Sequence, residues 1–129
     1  MKRLNSVLAI GSVLLMASSA MASGEDTYKA VCANCHAKSF ANSPQVGDKA
    51  KWAPLIAEGQ VILTAHGYVG LRAMPPKGGK ADLSVSDFSA ALNHMVNLSG
   101  GNWKTPDKKT LAAIQAEIAE RQKLNAPKK

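Results

Sequence analysis

Cys32, Ala33, Asn34, Cys35 and His36 set two thiols three positions apart, with an imidazole directly after the second. At that spacing both thiols share one helical turn, so they can bond two vinyl groups of a porphyrin while the imidazole turns to its iron. Two other chemistries use a Cys-x-x-Cys pair. A dithiol redox pair belongs to a βαβ setting, and no such pattern surrounds this one. A zinc site requires a second pair of ligands at short spacing, and none follows. Both cysteines of the chain are consumed by the motif, which leaves none for a structural disulfide. The motif therefore predicts one covalently attached haem c, held by Cys32 and Cys35, with His36 as an axial ligand of the iron.

The other axial position needs a donor. Met74 lies about 38 residues beyond His36, in a Gly- and Pro-rich loop, Met74-Pro75-Pro76-Lys77-Gly78-Gly79, stiffened by the two prolines that follow it. Met95 falls on the apolar stripe of a helix and reads as packing. His66 reads as a helix-terminal histidine favoured by the dipole, and its closeness to the Met74 loop keeps it open as a replacement for Met74. His94 lies off the apolar stripe and reads as solvated. His36 and Met74 as a pair hold low-spin iron, and the soft sulfur favours the reduced metal. With both axial positions filled, oxygen and peroxide have no site, so the pattern implies electron transfer rather than an enzyme. A haem sensor would need an open axial position, and a two-haem peroxidase a second Cys-x-x-Cys-His, which the chain lacks.

The elements that must position these residues are all helical. Ser23 caps a first helix with Glu25 and Asp26 in its first turn, and Tyr28, Val31, Cys32 and Cys35 share one face. Residues 37–51 read as a loop. Short helices follow over 52–58 and 60–66, separated by Gly59 and stopped by Gly67, and a second loop runs over 67–82. Ser84 caps a strong helix with Asp87 three positions on and Val85, Phe88, Ala91, Leu92, Met95 and Val96 along its stripe. That helix ends at Ser99-Gly100-Gly101. Thr105 and Pro106 start a last helix with Leu111, Ile114 and Ile118 at helical spacing, ending in a frayed Pro127-Lys128-Lys129. No alternating run predicts a sheet.

The amino terminus carries Lys2 and Arg3, an apolar or small run from Leu4 to Met16, and Ala20-Met21-Ala22, the pattern of a secretory signal peptide cut before Ser23. The run of about 13 residues is short of the ~20 needed to cross a bilayer, so no stable membrane insertion is expected after cleavage. About 107 residues then remain, one small domain that a large apolar haem would help to fill. The formal charge of +7 drops to about +5 without Lys2 and Arg3. Lysines are dispersed and aromatics few, which excludes a nucleic-acid stripe.

Three stretches, 28–36, Pro44-Gln45-Val46-Gly47-Asp48-Lys49-Ala50-Lys51-Trp52-Ala53-Pro54, and Ala73 to Gly79, resemble the class I c-type cytochromes of the cytochrome c5 branch in order across residues 24–98. The resemblance implies an all-α fold around one covalent haem, a periplasmic single-electron carrier, and crossing first and last core helices, here the one entering Cys32 and the one from Val85 to Leu98. It implies Cys32 and Cys35 as thioether positions and His36 and Met74 as axial ligands. Pro44 matches a loop proline whose carbonyl accepts the ring N–H of the proximal histidine. Trp52 matches a tryptophan near the haem that either donates to a propionate or packs in the core. Two departures stand out: Lys80 and Leu83 occupy the positions of a second cysteine pair found in several relatives, so the loop should be more mobile, and Leu55 occupies a position that is often basic.

The domain reading is thus 1–22 signal peptide, 23–98 cytochrome domain and 99–129 a C-terminal helical extension that the resemblance does not explain. The extension either packs on the haem domain or docks to a membrane or partner. Lys49, Lys51, Lys77 and Lys80 stand in the two loops that must wrap the haem and would steer an acidic redox partner. A monomeric soluble carrier leads, ahead of a cytochrome subunit or dedicated acceptor of one dehydrogenase or oxidase, with a haem sensor third. Mass spectrometry of the exported protein is expected to find Ser23 as the first residue and one haem attached; a chain that retains Met1 to Ala22 contradicts the export reading.

Overall fold

A computed structural model of the chain describes residues 23–127. The expected signal peptide and the closing Lys128-Lys129 lie outside the described residues. Ser23 accepts a hydrogen bond from the Asp26 amide and opens α1 (Gly24–Thr27), with Glu25 and Asp26 in the first turn where the helix dipole favours acids. The chain runs on through a π-helical turn (Tyr28–Cys32) into α2 (Ala33–His36). The wider turn ends on Cys32 and shifts the helical register one residue as the chain enters the cysteine motif, a device that recurs at functional sites.

The two short helices expected next are α3 (Lys49–Ala57), capped by Asp48, and α4 (Gln60–Val69). Gly67 does not stop α4, contrary to the sequence expectation; the helix continues to Gly70, whose φ of 93° ends it. Gly67 is required for another reason. A side chain there would begin 2.8 Å from the Phe88 ring, so its missing Cβ makes room for that ring. Among the described residues no strand forms; Leu71 and Met74 exchange two backbone hydrogen bonds across a tight turn.

Ser84 caps α5 (Val85–Leu98): its hydroxyl accepts from the Asp87 amide and donates to the Asp87 carboxylate. The apolar stripe read from the sequence is the core: Phe88, Ala91, Leu92, Met95 and Val96 are all buried. His94 lies off the core as expected and is half-exposed, one side of its ring lying by Tyr28 at a centroid distance of 5.3 Å. The last helix, α6 (Lys108–Asn125), starts later than expected. Pro106 holds the residue before it extended, and Asp107 rather than Thr105 accepts from the Thr110 amide as the cap. Ile114 and Ile118 of α6 are buried in the same core as Trp52 and Val96.

The first and last core helices cross where Gly24 meets the backbone of Ala90. A Cβ at Gly24 would stand 2.7 Å from the Ala90 carbonyl carbon, a rigid target that cannot swing away. Gly24→Ala is expected to destabilise the folded protein by about 1–3 kcal/mol, the usual cost of overpacking. Thermal unfolding monitored by circular dichroism checks this, at about 4–8 °C per kcal/mol; an unchanged midpoint would show that the crossing is loose.

Candidate haem site

The loop after His36 is built on backbone carbonyls rather than on a regular element. The Gln45 side chain is its hub: its Oε1 accepts from the Ser39 amide at 2.8 Å, and its Nε2 donates to the Cys35 and Ser43 carbonyls. The Ser43 hydroxyl also donates to the Cys35 carbonyl, at 2.7 Å, and the Val46 amide to the His36 carbonyl, at 2.9 Å. These bonds hold the end of α2, whose last carbonyls have no helical partner. They also hold Ser39, Ala41 and Asn42 in left-handed backbone (φ 51–57°), which costs of order 1 kcal/mol or more per residue and persists only where the surroundings enforce it.

One consequence falls on His36. Its Nδ1 lies 2.8 Å from the Pro44 carbonyl, and a carbonyl only accepts, so Nδ1 carries the proton and the ring's other nitrogen keeps its lone pair. His36 is buried, its ring 6.2 Å from that of Trp52. Trp52 is buried too, but its indole N–H donates to the Gln45 carbonyl at 2.9 Å. Of the two roles open to Trp52 from the sequence, the structure displays the packing one, with the indole N–H bracing the loop.

Cys32, Cys35, His36, Pro44, Trp52 and Met74 all line one cavity of about 740 Å³ with largely apolar walls. That volume lies within the roughly 300–1,000 Å³ range of cofactor and ligand pockets. Met74 enters from the turn beside Gly67, its methyl carbon 3.6 Å from where a Cβ on Gly67 would stand. His36 comes from the end of α2, beside Pro44 and Trp52. Burial pushes the Cys32 thiol up to about 11, with Cys35 adding to the shift. An undissociated thiol is the opposite of the low-pKa cysteine that a dithiol redox motif requires. An imidazole nitrogen with a free lone pair, a thioether, two adjacent thiols and apolar walls together fit a covalently held haem.

The remaining expectations divide. His66 also lines the cavity, but as an interior residue of α4, with Nδ1 2.6 Å from the Glu58 carboxylate. Met95 packs in the core and touches the cavity wall; His94 does not reach it. Of the four lysines expected around the crevice, Lys51 lines it. Lys49 instead lays its stem by Gly100, Lys77 caps the Tyr68 ring at 5.1 Å and donates to Ala81, and Lys80 pairs with Asp82. The mobile loop expected where the second cysteine pair is missing has anchors of its own, since Leu83 is buried and its carbonyl accepts from the Tyr68 hydroxyl at 3.0 Å.

Gln45, Gly67 and Arg72 escaped the sequence reading. Gly67 had a signal: the apolar period of Leu63 to Tyr68 runs straight through it. Gln45 and Arg72 had none, because their roles depend on loop backbone. Arg72 lines the cavity mouth in a left-handed conformation (φ 55°), and exposed Phe40 and Leu71 stand at the same mouth.

Comparison with known proteins agrees with this chemistry. The family model described as cytochrome C oxidase, cbb3-type, subunit III matches residues 19–95. Cytochrome c-555 of Chlorobaculum tepidum is 40% identical over 107 residues, covering 77% of this chain and 99% of its own. Cytochrome c5 of Azotobacter vinelandii is 41% identical over 78 residues, covering 59% of this chain and 94% of its own. A solved electron transfer complex of nitrite reductase with cytochrome c contains a chain 41% identical, with a TM-score of 0.56, covering 59% of this chain and 93% of that one.

Trp52→Phe is expected to destabilise the haem-bound protein by about 1–3 kcal/mol through the unpaired Gln45 carbonyl, with the reduction potential unchanged. Denaturant titration alongside a redox titration checks both halves; a shifted potential with full stability would restore Trp52 as a partner of the haem itself.

Proposed function

We propose that this chain, which belongs to the class I c-type cytochrome family and carries one covalent haem c, passes single electrons between redox proteins through an iron ligated by His36 and Met74. The observation that carries the reading is the convergence of His36, Met74 and the adjacent Cys32 and Cys35 on a single apolar cavity. When bound, the haem supplies an iron that takes up and releases one electron. The residues around it do the rest. Cys32 and Cys35 anchor the group through thioethers, so it cannot dissociate between partners. Pro44, by accepting the Nδ1 proton, fixes the imidazole of His36 and raises the basicity of the nitrogen left for the metal. The Met74 sulfur favours the reduced metal and raises the potential.

With the haem held between them, His36 and Met74 would keep small oxidants off the metal, leaving the rim of the cavity as the place where a redox partner can approach. Phe40 and Leu71 are exposed there, beside Arg72 and Lys51. That combination suits a redox partner with an apolar centre and acidic surroundings, and positive charge speeds the encounter. The proposed location is the periplasm, after cleavage before Ser23, and among the described residues no helix is long and apolar enough to cross a membrane.

A second reading is a cytochrome subunit or dedicated partner of one oxidase or reductase. The description of the matching family model and the nitrite reductase complex of a structural relative favour it. Gel filtration of the native extract separates the two, since a free carrier elutes at monomer size.

Met74→Ala is expected to abolish the weak far-red band of the oxidised protein and to lower the reduction potential, with haem content intact. A wild-type spectrum without that band, or one of high-spin iron, would reject the ligand assignment. Electron transfer to an acidic partner should slow by roughly tenfold from low to high ionic strength, and a flat response would remove electrostatic steering from the mechanism.

A further inference from the structure

We propose that the C-terminal helix is a positioning element for the second axial ligand: α6 holds α4 in place, and α4 holds Gly67 against Met74. The inference rests on Met74 being that ligand. It concerns residues 99–125, to which neither the cysteine motif nor the cavity assigns a role.

α4 works on two sides. Leu63, His66 and Gly67 line the cavity, while Thr64 and Ala65 do not and are nonetheless wholly buried. At Gly67 the Phe88 ring fills the space a Cβ would take, and the Met74 methyl borders the same space. A small displacement of α4 therefore changes the space in which Met74 sits, because packed interiors transmit displacement rather than absorb it. Tyr68 ties the far end of α4 to the Leu83 carbonyl, but the helix's first turn has no such anchor of its own. It starts after Gly59 with no side-chain cap.

The C-terminal segment supplies what is missing. Gln60, the first residue of α4, donates its side-chain amide to Asn93 Oδ1 and to the Lys104 carbonyl, both at 2.9 Å, and Asn93 Nδ2 donates to that same carbonyl at 2.7 Å. Asn97 grips the next residue back, accepting from the Trp103 amide and donating to its carbonyl. The segment is thus bolted to α5 at two asparagines. From there α6 lies along α4, with Ile114 and Ile118 buried and Leu111 half-buried. The apolar face that a docking helix would offer to a membrane or partner is spent inside the molecule. Its other faces carry ion pairs, the half-buried Glu117 with Arg121 and the exposed Glu120 with Lys123.

Imidazole added to the oxidised holoprotein reads this coupling, because it binds iron only when Met74 has let go, so its apparent affinity scales with the detached fraction. A chain ending at Gly101 and full-length Ile118→Ala are both expected to bind imidazole roughly tenfold more tightly, with a weaker far-red band and unchanged haem content. Ile118→Leu should return both towards wild type. If the shortened chain does not accumulate, the two point variants decide. Wild-type imidazole affinity and band intensity in Ile118→Ala, with only the melting temperature lowered, would overturn the proposal and leave α6 as ballast. Met74→Ala separates this from failure of the ligand assignment. If that variant binds imidazole no better than wild type, both readings fall; if it binds much better while the α6 variants do not, the positioning role alone falls.

Discussion

A cavity of about 740 Å³ lies among the helices of a chain too short to be stable with so much apolar wall left to water. Every other feature of the fold follows from the need to close helices around something other than their own side chains. Cys32 and Cys35 bring that group with a covalent bond, so its apolar faces are part of the core from the moment it is attached. Trp52, Leu63, Phe88, Leu92 and Met95 then serve two surfaces at once, each other and the cavity. Small residues appear where helices must come closest, at Gly24 against Ala90 and at Gly67 against Phe88 and Met74.

The two ends of the proposed iron site are held by different physics. On the His36 side the support is polar: a loop whose carbonyls and amides are tied by Gln45, Ser43 and Trp52, and whose Pro44 carbonyl decides which ring nitrogen carries a proton. On the Met74 side the support is packing, with a methyl group resting by a helix that must lack a Cβ. Hydrogen bonds fix direction, which an imidazole needs, whereas a thioether needs only distance and shape. The left-handed backbone at Ser39, Ala41, Asn42 and Arg72 is confined to these two loops, where local strain is borne by surrounding bonds.

The C-terminal helix belongs to this picture through α4. Leu111, Ile114 and Ile118 look in the sequence like the apolar face of a free amphipathic helix, and periodicity cannot say whether such a face is turned to a neighbour or to solvent. The answer lies in Gln60, Asn93 and Asn97, three polar residues on earlier helices that meet the backbone of residues 103–104. Nothing in their local sequence marks them as partners. The same holds for Lys51 and Arg72, which reach the cavity mouth while Lys49 and Lys77, equally basic and equally placed in wrapping loops, turn elsewhere.

What the sequence determined by itself was the chemistry and the helical grammar. Cys32, Cys35 and His36 are adjacent in the chain, so their spacing alone specifies the haem; Ser23 and Ser84 cap the helices that follow them, because capping is decided within four residues. It also marked Met74, a methionine in a proline-stiffened loop. The start of α6 was misplaced for a local reason, the Asp107 cap; the other failures came from contacts outside the local pattern. Gly67 looked like a helix stop until Phe88, 21 positions on, supplied the reason for it. Trp52 reads from the sequence only as a residue near the haem, and its N–H bond to the Gln45 carbonyl appears only in the folded loop. Only the tertiary structure could decide these, since a side chain's spacing records which face it shares, not which partner will be waiting there.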